Sequence, residues 1–358
     1  MKYRDTQLDI YRGIIMMHIV CIIHAVTFLH FWKEPIMSIL LFEMPVIFFI
    51  AGASISLSNK RKSLGETVLN RFKRVIIPYY IYVVVMLIIV ALLSVVWLYF
   101  SPQIESIFGN GFISKFSFDI TKYTWHDVYQ IIICDDIPQS PYVYHLWFIP
   151  VYFILSCSFP LQIKCIDRMN RWLYIGICIA AFCLTVAFTE NRFLRNLFCY
   201  NVFIVGGYLL YKKLEWRQIV FIAALGILAV SVYLKWFGDF VSMHDHKFPA
   251  DILFLSYNTV VICIFSLILG KVKLPNLRIF QIWNKHGYSI YLYHSFVLFI
   301  VYIFLLFLVR VTSSRIIQLS LCVVLMFLLS TYISFLTTRL EGYVMNHLFS
   351  QQQKSKTT

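Results

Sequence analysis

The sequence predicts an all-α, polytopic integral membrane protein with about ten transmembrane helices, and three observations carry that prediction. Hydrophobic residues fill 60% of the 358 positions and charged residues only 13%, against about half and about a quarter in soluble domains. Apolar stretches of about 18 residues or more recur along the whole chain, each long enough to cross a bilayer as a helix. These stretches are continuously apolar and do not alternate with period two, which excludes a transmembrane β-barrel. The 33 Phe, 23 Tyr and 8 Trp exclude disorder, because no unfolded chain keeps so much apolar surface in water.

Taken in order, the candidate spans begin near Gly13, Pro35, Val75, Tyr142, Trp172, Leu197, Ile219, Ile252, Tyr288 and Ile316. The first follows Met1-Lys2-Tyr3-Arg4; its length and the lack of a small-residue cleavage site mark a retained span, not a signal peptide. An even number of spans leaves both termini on one side. With a cytoplasmic N-terminus, 22 of the 31 Lys and Arg fall in the inside segments 2–12, 60–74, 164–171, 212–217, 271–285 and 339–356. Only 9 fall elsewhere, so the positive-inside rule predicts N-in and C-in. Residues 1–349 then form one membrane-embedded domain, and residues 350–358 a polar cytoplasmic tail.

The net charge of +14 is therefore a topology signal. No basic block is set among the strand and turn signals of a nucleic-acid module, so no nucleic-acid partner is expected. Nine cysteines are an odd number, seven of them (Cys21, Cys157, Cys178, Cys183, Cys199, Cys263 and Cys322) lie in apolar runs, and no C-x-x-C pair occurs; neither a disulfide framework nor a metal site is indicated. The longest loop, about residues 100–141, falls outside and carries Glu105, Asp119, Asp127, Asp135 and Asp136 against Lys115 and Lys122. It reads either as a cap over an external cavity or as a solvated connector. His244 and His246, close together in a short loop, suggest a metal only weakly, having no third ligand in view, and read as solvated.

Ionisable residues inside spans are the first candidates for chemistry, since a charge at the bilayer centre costs about 2.5 kcal/mol or more. His24 lies deep in the first span, and Glu43 is the one acid found inside an apolar run. Asp9 and Arg12 sit three apart at the membrane boundary, as do Arg71 and Arg74. A buried imidazole bonded within the helix bundle, an interfacial acid, a surface ion pair and ordinary positive-inside anchoring explain the same residues without chemistry.

Five motifs narrow these alternatives. Leu8-Asp9-x-x-Arg12-Gly13-Ile14 is followed by His24-Ala25 in the same helix. Met44-Pro45-Val46-Ile47-Phe48-Phe49-Ile50-Ala51-Gly52, Arg71-Phe72-Lys73-Arg74 ahead of Pro78, His145-Leu146-Trp147-Phe148-Ile149-Pro150 and Gly287-Tyr288-Ser289-Ile290-Tyr291-Leu292-Tyr293-His294 come later. In this order the set resembles bacterial membrane-bound acyltransferase family 3, whose members move acyl groups, usually acetyl from acetyl-CoA, onto glycan hydroxyls. The resemblance runs from residue 8 to residue 294 and includes no appended esterase-like domain. It implies His24 as general base and Arg12, Arg71 and Arg74 as ligands of the coenzyme A phosphates. A carboxylate normally orients such a base, and Glu43, as the one acid found inside an apolar run, is the best candidate partner. His145, Trp147, Ser289, Tyr291 and His294 are implied on the substrate side, although aromatic belts and helix-to-helix hydrogen bonds account for such residues equally well. Gly206 and Gly207 resemble a family glycine and read as helix packing.

One spacing departs from the family pattern. The family places ten residues between the first-helix Arg and His, whereas eleven separate Arg12 from His24. At about 100° per residue, eleven steps return the pair to within about 20°, while twelve leave them about 120° apart. A π-bulge absorbs one extra residue and occurs often at functional sites, so one, or a local distortion, is predicted between Gly13 and His24; in a regular helix His18 becomes the rival base. Twelve residues at about 1.5 Å each put His24 about 18 Å beyond Arg12, in the outer half of the membrane, so donor and acceptor could enter from opposite faces.

The expected protein is a multi-pass enzyme of the bacterial cytoplasmic membrane, with acyl-CoA (most often acetyl-CoA) as donor, a glycan or glycan-lipid as acceptor, lipid as its surroundings and no metal. A transporter or flippase of a glycan-lipid is the alternative, and paired repeats or broken helices in corresponding halves, which would favour it, are not evident. A family member that binds without turnover is a third.

Overall fold

The computed structural model describes residues 5–31, 33–35, 37–58, 63–108, 124–133, 142–238 and 242–354. It is 86% helical and, among the described residues, contains no strand. Ten helices there are long and apolar enough to cross a membrane: Thr6–Phe28, Met37–Ser56, Leu64–Ile107, Tyr144–Ile166, Arg171–Phe188, Arg192–Leu210, Trp216–Phe237, Ile252–Leu269, Gly287–Val311 and Arg315–His347. Each candidate span of the sequence corresponds to one of them. Lys60, Arg61, Lys62, Lys115, Asp119, Lys122, Asp135 and Asp136 lie outside the described residues.

The sequence reads one domain over residues 1–349; the helices sort into two compact units, Met1–Leu64 with Leu155–Lys285, and Gly65–Ile154 with His286–Thr358. In the first unit, α1 (Thr6–Met17) continues through a π-helical segment, His18–His24, into α2 (Ala25–Phe28). A 3-10 turn, Met37–Leu40, leads to α3 (Glu43–Ser56). Asp5 starts α1 by accepting hydrogen bonds from the Gln7 and Leu8 amides at 3.2 and 3.3 Å, two of the donors a helix N-terminus leaves over. Its other oxygen takes Tyr211 Oη at 2.8 Å and Lys212 Nζ at 2.6 Å. Partial burial pushes the Asp5 carboxyl up, but the bonds from Lys212, Tyr211 and Leu8 outweigh it and hold the group below the usual range.

The same unit contains α7 (Phe148–Ile166) from Leu155 on, α8 (Arg171–Phe188), α9 (Arg192–Leu210), α10 (Trp216–Phe237), α11 (Met243–Lys247), α12 (Ile252–Lys271) and α13 (Arg278–Lys285). In lipid the hydrophobic effect does not draw helices together, so close backbone packing must. At Gly52 an added Cβ would fall 1.9 Å from Ile204 O, and at Gly207 it would fall 1.9 Å from Phe49 O. These two glycines let α3 and α9 touch. Gly206 meets nothing within 4 Å, so of the doublet read as packing only Gly207 packs. Gly13 brings α1 onto α13 at Phe280 O.

The second unit contains α4 (Leu64–Arg71), which enters it at Gly65, a π-helical segment Phe72–Ile76, α5 (Ile77–Phe108) and α6 (Trp125–Ile133). It also holds α14 (Gly287–Val311) and α15 (Arg315–Lys354). One expectation is corrected here. The long loop does not begin near residue 100, because α5 runs through Pro102 to Phe108; the fall in hydropathy there does not end the helix. At the other end of the chain α15 continues into the polar tail as far as Lys354. Tyr79 and Tyr80 donate to the carbonyls of Ile131 and Ile132, which are among the last-turn acceptors that α6 cannot satisfy itself.

Candidate functional site

The predicted site residues divide between the two units. In the first, the π-helical segment ends on His24, which is 7% exposed and meets Phe28 edge-on, ring centroids 6.2 Å apart. The distortion expected between Gly13 and His24 is present, and the extra residue is taken up in the wide turn. His18, the rival, opens that segment; its Nε2 lies 3.1 Å from Leu40 O and its ring stacks on Phe42 at 4.9 Å.

Arg12 holds one end of this unit. Its Nη2 donates to Ser54 Oγ at 2.6 Å and its Nη1 to Asn284 Oδ1 at 3.3 Å, with Asp9 Oδ1 at 3.6 Å. One guanidinium thus ties α1, α3 and α13 together through both of its terminal nitrogens. Glu43 lies eleven residues back along α3 from Ser54, about 16 Å along the helix axis.

Glu43 does not bond His24 there. Its Oε1 accepts from Lys247 Nζ at 2.6 Å, and the two residues are 2% and 5% exposed. Phe42, its neighbour in sequence, stacks on His18 at the start of the π segment, and His24 closes that segment. Lys247 ends α11, in the stretch read from sequence as a solvated loop. Ser242 Oγ donates to Glu34 Oε1 at 2.6 Å, and His246 Nδ1 lies 2.6 Å from Asp251 Oδ2. That hydrogen bond raises the His246 pKa against the opposing effect of its partial burial. His244 is exposed.

In the second unit Arg71 leans on Tyr152, with Nη1 3.4 Å from the phenol oxygen and the guanidinium 5.9 Å from the ring centroid. Arg74 is exposed. The two stand at and inside the π segment Phe72–Ile76, whose Val75 carbonyl accepts from Tyr288 Oη at 2.8 Å. A π turn shifts the hydrogen-bond register from i+4 to i+5, and a tyrosine occupies an acceptor within it.

His145, Tyr291 and His294 come together. The two imidazoles are fully buried with centroids 4.6 Å apart, Tyr291 Oη donates to His145 O, and His294 Nδ1 lies 2.6 Å from Tyr291 O. His145 Nε2 lies 3.3 Å from Leu292 O. Trp147 stands aside, half-buried and edge-on to Phe148 at 6.4 Å. Ser289 serves another partner, donating to Glu341 Oε2 at 2.7 Å.

Sequence reasoning passed over Lys247 and Glu341. Glu341 is buried in α15, but Arg339 marks the inside boundary in the charge count and conceals an acid two residues beyond it. A lone carboxylate in an apolar span needs a cation, and Lys247 is one of only 9 Lys and Arg outside the six segments counted as inside, a signal that could have found it. Among the described residues no group of three or more His, Cys, Asp and Glu could hold a metal.

No curated protein and no solved structure matches the chain. A family model described as an acyltransferase domain matches residues 5–339. With nearly the whole chain matched, and with ten membrane-length helices carrying the motif residues, the protein belongs to membrane acyltransferase family 3.

Proposed function

We propose that this membrane acyltransferase moves an acyl group, acetyl in the first instance, from acyl-CoA to a hydroxyl of a cell-surface glycan or its precursor, in a bacterial cytoplasmic membrane with both termini inside. A sugar hydroxyl is a weak nucleophile at neutral pH, and an imidazole of ordinary pKa near 6.5 is suited to take its proton. His24 accepts that proton as the hydroxyl oxygen attacks the thioester carbonyl. The tetrahedral intermediate collapses, the carbon–sulfur bond breaks, and the thiolate leaves to be protonated as free coenzyme A. Arg71, stacked on an aromatic ring, and exposed Arg74 bind donor phosphates; both suit a guanidinium's planar, always-charged geometry. Arg12, already shared among three helices, is assigned chiefly to holding α1 in place.

The π-helical segment His18–His24 carries this reading. A π turn is the distortion expected to let a first helix with one extra residue keep its His in the family's helical phase. The test is in cells: surface glycan from a strain lacking the gene is compared by mass with glycan from strains restored with the wild type or with His24→Ala. Ester mass returns with the wild type and not with the variant. Equal restoration by both overturns the assignment of the base.

A further inference from the structure

We propose that Glu43 is the docking point for the hydroxyl-bearing acceptor and that Lys247 is the positioning residue that fits it for this task, a refinement that rests on the acyl-transfer reading. Glu43 is 2% exposed, its Oε1 is bonded to Lys247 Nζ at 2.6 Å, and its Oε2 is buried without a hydrogen-bond partner. A buried carboxylate is tolerated only when paired and hydrogen-bonded. Lys247 meets half of that demand.

What the second oxygen can take follows from its chemistry. A carboxylate held in an ion pair accepts hydrogen bonds and does not donate them, so a ligand here must bring a donor hydrogen. The acyl group being transferred has none, whereas a polyhydroxylated glycan presents many. Lys247 is already neutralised, so the pair as a whole favours an uncharged, hydroxyl-rich ligand over a phosphate. Lys247 is itself held in place from both sides of its short helix, by Ser242 on Glu34 and by His246 on Asp251. That anchoring is what a positioning residue requires.

The experiment uses the full-length protein in lipid nanodiscs, with radiolabelled acetyl-CoA as donor and, as acceptor, glycan extracted from cells lacking the gene and titrated by mass. Glu43→Gln keeps an oxygen for Lys247 and puts an amide NH2 where Oε2 was. It and Lys247→Met are expected to raise the acceptor KM by about tenfold or more, the worth of one charged hydrogen bond. The acetyl-CoA KM stays put, and Lys247→Arg recovers most of the acceptor KM. An unmoved acceptor KM in Glu43→Gln, or a rise in the donor KM instead, overturns the proposal. If Lys247→Met unfolds, Glu43→Gln and Lys247→Arg decide the matter. Wild-type protein that transfers nothing sinks the acyl-transfer reading and this one together, whereas active wild type, inactive His24→Ala and an unaffected Glu43→Gln sink this one alone.

Discussion

At the scale of single residues, two histidines of the first helix are separated by their environments. His18 has its Nε2 at a backbone carbonyl and its ring flat on Phe42, which commits it to fixing the 3-10 turn, while His24 ends the π turn. His18→Ala is therefore expected to retain transfer with lowered thermal stability. Initial rates and unfolding temperature measured on one preparation check this, and loss of transfer without loss of stability contradicts it. His246 offers a pH test. Its pKa is raised by Asp251, so the stability it contributes is complete below the unfolded-state value near 6.5 and is lost as pH rises through the higher folded-state value. Amides of Met243–Lys247 should exchange faster, after correction for intrinsic rate, at about pH 9 than at about pH 6, and His246→Ala should abolish the difference. The sequence singled out His24 and Arg71 through their spacing within motifs. It passed over Lys247, because a Lys in the polar stretch His244 to Lys247 looks solvated until the fold sets Glu43 against it.

At the scale of elements, the π-helical segment reconciles the count of residues with the direction of His24. Deleting Val20 leaves eleven steps from Arg12 to His24, which in a regular α-helix brings the two within about 20° of each other. Transfer should survive that deletion, and a folded deletion protein without activity would show that the wide turn has a role beyond phase. The α3–α9 contact makes a second prediction. Gly207→Ala drives a Cβ into Phe49 O and should cost about 1–3 kcal/mol, in the range of core overpacking, whereas Gly206→Ala meets open space and should cost nothing measurable. Denaturation of the two variants in micelles compares them directly. The distortion was foreseeable because a helical phase can be counted. The unequal glycines were not, because adjacent glycines are alike until a neighbouring helix lies on one of them.

At the scale of the molecule, hydropathy located all ten spans, since lipid acts on each helix separately. It did not reveal that the chain leaves the first unit near Leu64 and returns near Leu155. A span's composition records its exposure to lipid, whereas its partners are set by close contacts such as Gly52 and Gly207 and by bonds such as Tyr82 Oη to Ser295 Oγ at 2.8 Å, which no periodicity encodes. Glu341 was missed for a related reason: the end of the apolar run was taken as the end of the membrane helix, yet α15 continues to Lys354. The central claim is that a family acyltransferase does its proton chemistry at His24. The most direct measurement is incorporation of label from radiolabelled acetyl-CoA into extracted glycan by purified protein in nanodiscs, wild type beside His24→Ala. The account predicts a fall of about 10²-fold or more for the variant, as for loss of a general base; a folded variant that transfers at the wild-type rate would contradict it.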